Sequence, residues 1–284
     1  MKAEQITSPI TWHGEGPCWD PVDERMLVVD MEAGAVVEVD SGQRHDVGSR
    51  IAAVVRPRAG GGFIVATEHG FALFDSGFRR ARELAQVLDD PAIRLNEGGC
   101  DAAGRFFCGS MAYDETPGAA ALYRVEADGT ASLVFDGATI SNGLQWSLDG
   151  SRVFYVDTPT QRVDVFDYDV TDGSFHERRP FADVSALSGS PDGMTIDAEG
   201  GLWVAFWGAG AIRRLDPESG AVTAEIEVPG VTHTSAAAFG GASLDTLYIT
   251  SSRQHLADDA EPQAGSVFAV RPGVAGVALH AFAG

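Results

Sequence analysis

Short apolar runs separated by polar turns dominate the chain. Met26–Val29 (MLVV), Phe63–Ala66 (FIVA), Val153–Val156 (VFYV), Leu202–Ala205 (LWVA) and Leu247–Thr250 (LYIT) are about four residues each and rich in β-branched and aromatic types. Runs of this length and type predict buried strands rather than helices. One helical turn is expected, over Arg79–Leu88 (RRARELAQVL). The strands recur inside a larger unit. WDPVDERMLVVD from Trp19, WSLDGSRVFYVD from Trp146 and IDAEGGLWVAFW from Ile196 share one pattern, and the unit closes with segments such as ALYRVEADG or AIRRLDPESG. Six copies begin near residues 15, 52, 96, 142, 192 and 235. A period of about 40 to 50 residues with four short strands per unit is the mark of a β-propeller, since solenoid repeats are shorter or helical. The pattern therefore predicts an all-β protein: a six-bladed β-propeller with four-stranded antiparallel blades, one domain over residues 1–284, with Glu4–Thr7 completing the last blade.

A propeller blade begins with its innermost strand, so one register position can be compared across the blades. Eight residues before the hairpin glycines Gly104, Gly150 and Gly200 stand Asn96, Asn142 and Asp192, and the same step from Asp23 reaches Glu15. The second blade offers Ala53 and the sixth Ser235 or Ala237. Four of six blades thus place a carboxylate or carboxamide at one level around the axis, each with a glycine one or two residues on, where backbones can crowd close to a bound group. Asn-Gly and Asp-Gly are also common turn pairs. Here Asp149-Gly150 and Glu199-Gly200 already supply the hairpins of their blades. An all-oxygen set suits a hard divalent cation, and two carboxylates would match its charge; calcium is the preferred occupant, with magnesium and manganese as alternatives.

Arg94 would share a strand face with Asn96 and could hydrogen-bond a polyol or carbonyl, or serve in a surface ion pair. Asp114 and Glu115 sit in MAYDETPG, a loop that could overhang the channel or simply be solvated. The seven histidines show no zinc spacing, and no Gly-x-Ser-x-Gly elbow is present. GCDAAG and GAGAI are not followed by helices and so are not nucleotide loops.

Composition narrows the function classes. Among 284 residues, 41 acidic against 20 basic side chains give a net charge of -21. That excess disfavours nucleic acid and anionic membrane surfaces as partners and is compatible with a cation. No apolar run is long enough to span a membrane, MKAEQITSPITWHGEG lacks the apolar stretch of a signal peptide, and three cysteines fit free thiols in a reducing compartment, so the expected location is the cytoplasm. A closed propeller leaves few strand edges, and a monomer is expected.

GEGPCWD at Gly14, RLNEGGCDAAGRFFCGSM at Arg94, SNGLQWSLDG at Ser141 and SPDGMTIDAEGGLWVAFWG at Ser190 occur in the order of the gluconolactonase, regucalcin and luciferin-regenerating enzyme family, which the whole chain resembles. The resemblance implies a divalent metal in the channel, zinc included among the candidates, held by Glu15, Asn142 and Asp192. It implies substrate contacts at Arg94 and Asn96 and at Asp114 or Glu115. It also implies hydrolysis of a sugar lactone to the aldonic acid. A carboxylate at the metal could take the proton of an attacking water, which makes Asp192 a candidate general base as well as a ligand. Two other functions stay open: a non-catalytic calcium-binding regulatory propeller, and a metal-dependent hydrolase of another ester class.

Overall fold

The computed structural model describes all 284 residues and contains six four-stranded antiparallel sheets. The innermost strands are Gly14–Asp20, Ala52–Pro57, Ile93–Cys100, Ser141–Trp146, Ser190–Ile196 and Thr234–Gly240, in blades one to six. Each packs against the innermost strand of the next blade, and the sixth packs against the first, so the sheets form a ring about one axis. This is the six-bladed propeller that the repeat predicts. The ring is closed by the N-terminal strand Glu4–Gln5, which pairs with the third strand of blade six at Glu4↔Ala269 and Gln5↔Phe268. No helix is long and apolar enough to cross a membrane.

The apolar runs are the second strands of the blades, and they fill the spaces between neighbouring sheets. Leu27, Val54, Val65, Phe71 and Phe106 belong to one cluster linking blades one to three. An aromatic cluster around Phe107, Trp146, Tyr155 and Phe166 joins blades three and four. Cys18, Cys100 and Cys108 are buried and free, as expected.

Arg80–Gln86 is a strand, not the helical turn expected over Arg79–Leu88. It forms the outer edge of blade two and pairs with Gly70–Phe74. Good helix formers are overridden here because the third strand offers an unpaired edge, and charged side chains suit an outer edge open to water.

Buried aspartates secure the hairpins. Asp197 is fully buried and accepts hydrogen bonds from the backbone of Glu199 (3.0 Å) and Gly201 (2.8 Å), from Trp203 Nε1 (2.8 Å) and from Arg214 Nε (2.6 Å). Asp101 does the same for blade three with Arg105 and the Tyr168 hydroxyl. The segment 275–284 lies across the hairpin end of the channel. Ala198 donates to the Ala275 carbonyl on one side of the ring, and Phe282 donates to Pro57 O and Ala283 to Gly104 O on the other. Phe282 is completely buried and Leu279 packs beside it.

Candidate metal and substrate site

At the opposite end of the channel, the innermost strands share an irregularity. In blades three, four, five and six a pair of residues opposes a single residue of the second strand: Asn96-Glu97, Asn142-Gly143, Asp192-Gly193 and Ser235-Ala236. Blade one bulges just after Glu15. A bulge re-aims a side chain locally, and the register position falls on the bulge in these blades. Ser235, rather than Ala237, is the sixth-blade counterpart, but its hydroxyl donates to the Gly14 carbonyl (2.5 Å) instead of facing the cavity. The glycines serve the fold. A Cβ on Gly143 would stand 2.7 Å from the Asp192 carbonyl oxygen, and one on Gly193 would stand 2.7 Å from the Ala236 Cβ. They allow adjacent inner strands to touch, which corrects the expectation that they make room for a bound group.

Glu15, Arg94, Asn96, Asn142 and Asp192 all line one open cavity of about 440 Å³, and Glu115 lines its mouth. Asp114 does not line it; its carboxylate accepts from the Thr116 backbone and hydroxyl within its own turn. The start of each inner strand is held from behind. Asp30 accepts from the backbone of Trp12 and His13, just before Glu15, and Asp157 from Thr139 and Ile140, just before Asn142.

A hydrogen-bond chain orders the polar groups. Arg94 Nη1 donates to Asn96 Oδ1 (2.6 Å), Asn96 Nδ2 to Asn142 Oδ1 (3.0 Å), Asn142 Nδ2 to Thr158 Oγ1 (2.8 Å), and Thr158 to the Pro191 carbonyl (2.9 Å). Arg94 is buried and makes no ion pair, so the surface-pair alternative does not hold; its other N–H groups have no protein partner at the cavity. Glu15 and Asp192 are also buried, yet neither has a basic side chain bonded to it. Glu15 accepts only from the Gly16 backbone (3.2 Å), and Asp192 from that of Gly193. Burial pushes both carboxyls well above the usual range; the Asp192 charge adds to this at Glu15, and the Glu97 charge at both.

Charges that burial leaves without a counter-ion are costly unless they pair or coordinate a metal. Two such carboxylates and the carboxamide oxygen of Asn142 fit a hard divalent cation. No group of three His, Cys, Asp or Glu side chains is clustered, so a cation here would rest on two carboxylates and neutral oxygens.

Three contributors escape the register comparison. Glu97 sits one residue beyond Asn96, is buried, and faces Arg56 Nη2 at 3.5 Å from the hairpin side. Glu32 reaches the cavity from the loop after the second strand of blade one. His13 lines the cavity beside Trp207. Its burial, chiefly, and the nearby Arg94 charge lower its pKa to about 3, so the ring is neutral at physiological pH. Glu97 follows Asn96 as a second charge, after Arg94, in a strand buried along nearly its whole length, a signal that could have exposed it.

The fold and site together define a six-bladed propeller with an oxygen-lined cavity at one end of its channel, and comparison with known proteins places the chain further. The model of the SMP-30/gluconolactonase/LRE-like region matches residues 13–253, and the chain belongs to that family. It is 37% identical to a regucalcin of Danio rerio, over 100% of this chain and 99% of the relative. Human regucalcin is 35% identical over 95% of each chain. Among solved structures, a luciferin-regenerating enzyme superimposes with a TM-score of 0.90 at 29% identity, covering 99% of both chains. A calcium-binding regucalcin of Agrobacterium tumefaciens gives 0.88, also at 29%, covering 97% of this chain and 95% of the other.

Proposed function

We propose that this protein is a divalent-cation-dependent lactonase acting on a sugar lactone, with calcium the preferred ion. The observation that carries the reading is the pair Glu15 and Asp192, two buried carboxylates at one cavity with no basic partner bonded to either. Membership of a family named for gluconolactonase, and similarity to a regucalcin described as a calcium-binding protein, support it. Glu15, Asn142 and Asp192 would hold the cation. When bound, such an ion supplies Lewis-acid polarisation of a carbonyl, worth several kcal/mol of charge stabilisation.

The remaining work belongs to the side chains. Arg94 offers free N–H groups to the ring oxygens of a hydroxyl-rich substrate, and Asn96, tied to both Arg94 and Asn142, fixes the distance between that contact and the ligand set. Orientation of this kind lowers the barrier by removing motional freedom before reaction. Asp192 accepts the proton of the attacking water.

The test is the turnover of Asp192→Asn across a cation titration carried to saturation. The amide keeps one oxygen donor but is no useful base, so turnover should stay roughly 100-fold or more below the parent. Recovery to within a few-fold of the parent would make Asp192 a ligand only. Because several relatives are named regucalcin, a non-catalytic calcium-binding role is the second reading. Lactone hydrolysis followed with a pH indicator, with and without chelator, separates the two: no chelator-sensitive hydrolysis of any aldonolactone would leave only the binding role.

A further inference from the structure

His13 Nδ1 lies 2.8 Å from the Ser252 hydroxyl oxygen, deep in the wall of the cavity. That oxygen already accepts the backbone N–H of Gln254 at 2.9 Å, and no other acceptor for the Ser252 proton is in reach. A fully buried hydroxyl does not leave its proton unused. Ser252 therefore donates to His13 Nδ1, and in a neutral imidazole the ring proton must then sit on Nε2. Nε2 has no protein partner and is not sealed among the orphaned buried atoms of the molecule, so it opens on the cavity its ring lines. His13 is held through both backbone and ring. The His13 backbone N–H donates to Asp30 (3.1 Å), its carbonyl accepts from Met31 (2.9 Å), and the ring stands edge-on to Trp207, whose indole is itself stacked on His233 at 4.2 Å.

We propose that His13 Nε2–H is a fixed neutral hydrogen-bond donor that recognises an acceptor oxygen of the bound ring and so determines substrate specificity alongside Arg94. The proposal rests on the lactonase reading for the kind of ligand. A donor locked by Ser252 selects rings with an oxygen at that point over deoxy analogues, because a ligand lacking the acceptor would strand the N–H against apolar surface.

Two measurements test it. In histidine-ring proton–nitrogen correlation spectra of the parent protein, His13 should show the Nε2-protonated neutral tautomer; the Nδ1-protonated form would overturn the proposal, and no variant is needed to see it. The second is calorimetric binding of a sugar lactam, a ring that keeps the carbonyl and hydroxyls but resists hydrolysis, together with its singly deoxygenated analogues. His13→Phe keeps a planar ring without an N–H and should bind the full lactam roughly tenfold more weakly than the parent, the usual loss for one hydrogen bond. One analogue, lacking the contacted oxygen, should bind parent and variant equally; if every hydroxyl analogue retains the difference, the carbonyl is the acceptor. Equal affinity of parent and variant for the full lactam, or no lactam binding by the parent, would overturn the proposal. Absence of lactone hydrolysis by the parent, with the tautomer and lactam results as expected, would overturn the lactonase reading alone.

Discussion

Asp192 and Asp197 stand five residues apart around the innermost strand of blade five, both buried, and they live in opposite electrostatic worlds. Asp197 takes five hydrogen bonds, two from the backbone, one from Trp203 and two from Arg214, and its charge is answered within the hairpin. Asp192 takes one backbone bond and faces Glu97, with Glu15 close enough to feel its charge. Arg94 is close enough to soften that field but spends its nearest donor on Asn96, not on a carboxylate. The comparison teaches how to read a buried carboxylate: a saturated one fastens the fold, whereas one short of partners reserves its lone pairs for something brought from outside.

The largest effect should come from breaking the satisfied member. Asp197→Ala strands the Arg214 guanidinium and the Trp203 N–H, and should cost about 3–5 kcal/mol of stability, the usual cost of removing one partner of a buried pair. Denaturant midpoints measure it, and a loss below about 1 kcal/mol would dissolve the contrast. Next come the proposed ligands: Glu15→Gln, Asn142→Ala and Asp192→Ala should each weaken divalent-cation affinity by at least about tenfold, while leaving the fold intact. Normal affinity in all three by calorimetric titration would refute the shared site.

Arg94→Ala sharpens the same contrast, since Arg94 is the cavity's counterpart of Arg214. It should retain cation binding and raise the Michaelis constant roughly tenfold with little change in turnover, if Arg94 binds ground and transition states alike. Loss of the cation would show that Arg94 supports the ligand set instead.

The smallest effect is a pH dependence of the cation-free protein. Carboxyls raised on folding bind more protons in the folded state than in the unfolded one, so stability falls as pH climbs from their ordinary values through the raised ones. His13, lowered to about 3, acts in the opposite sense up to its ordinary value of 6.5. Comparing parent with Asp192→Asn leaves His13, Arg94 and Arg56 common to both. In chelator the variant should gain on the parent as pH rises above the ordinary carboxylate range, and saturating cation should remove the parent's decline. Parallel profiles would mean that Asp192 carries no unanswered charge.

The fold was legible because each blade repeats a buried second strand after a polar or glycine-rich hairpin, and six repetitions correct one another. The register position was legible for the same reason, since Glu15, Asn142 and Asp192 stand at a constant distance from their hairpins. What the sequence could not display was the bulge on which Asn142 and Asp192 stand, and which begins just after Glu15, or the hand-off by which Asp30 and Asp157 secure the strand starts. Those depend on contacts between segments far apart in the chain. His13 was hidden because no second blade repeats it, and Arg80–Gln86 because local propensity yields to an open sheet edge.

The segment 275–284 has a kinetic meaning as well as a structural one. With Phe282 buried in the wall and Val277–His280 lining the hairpin end of the channel, the cavity holding Glu15 and Asp192 is a cul-de-sac. Whatever enters must leave through the same doorway, where Gln254 Nε2 reaches across to Glu32 Oε1 at 2.8 Å. Traffic through one door is symmetrical. A change to a doorway residue that does not touch the bound molecule alters arrival and departure by the same factor, so residence time can be tuned there while affinity stays where it was.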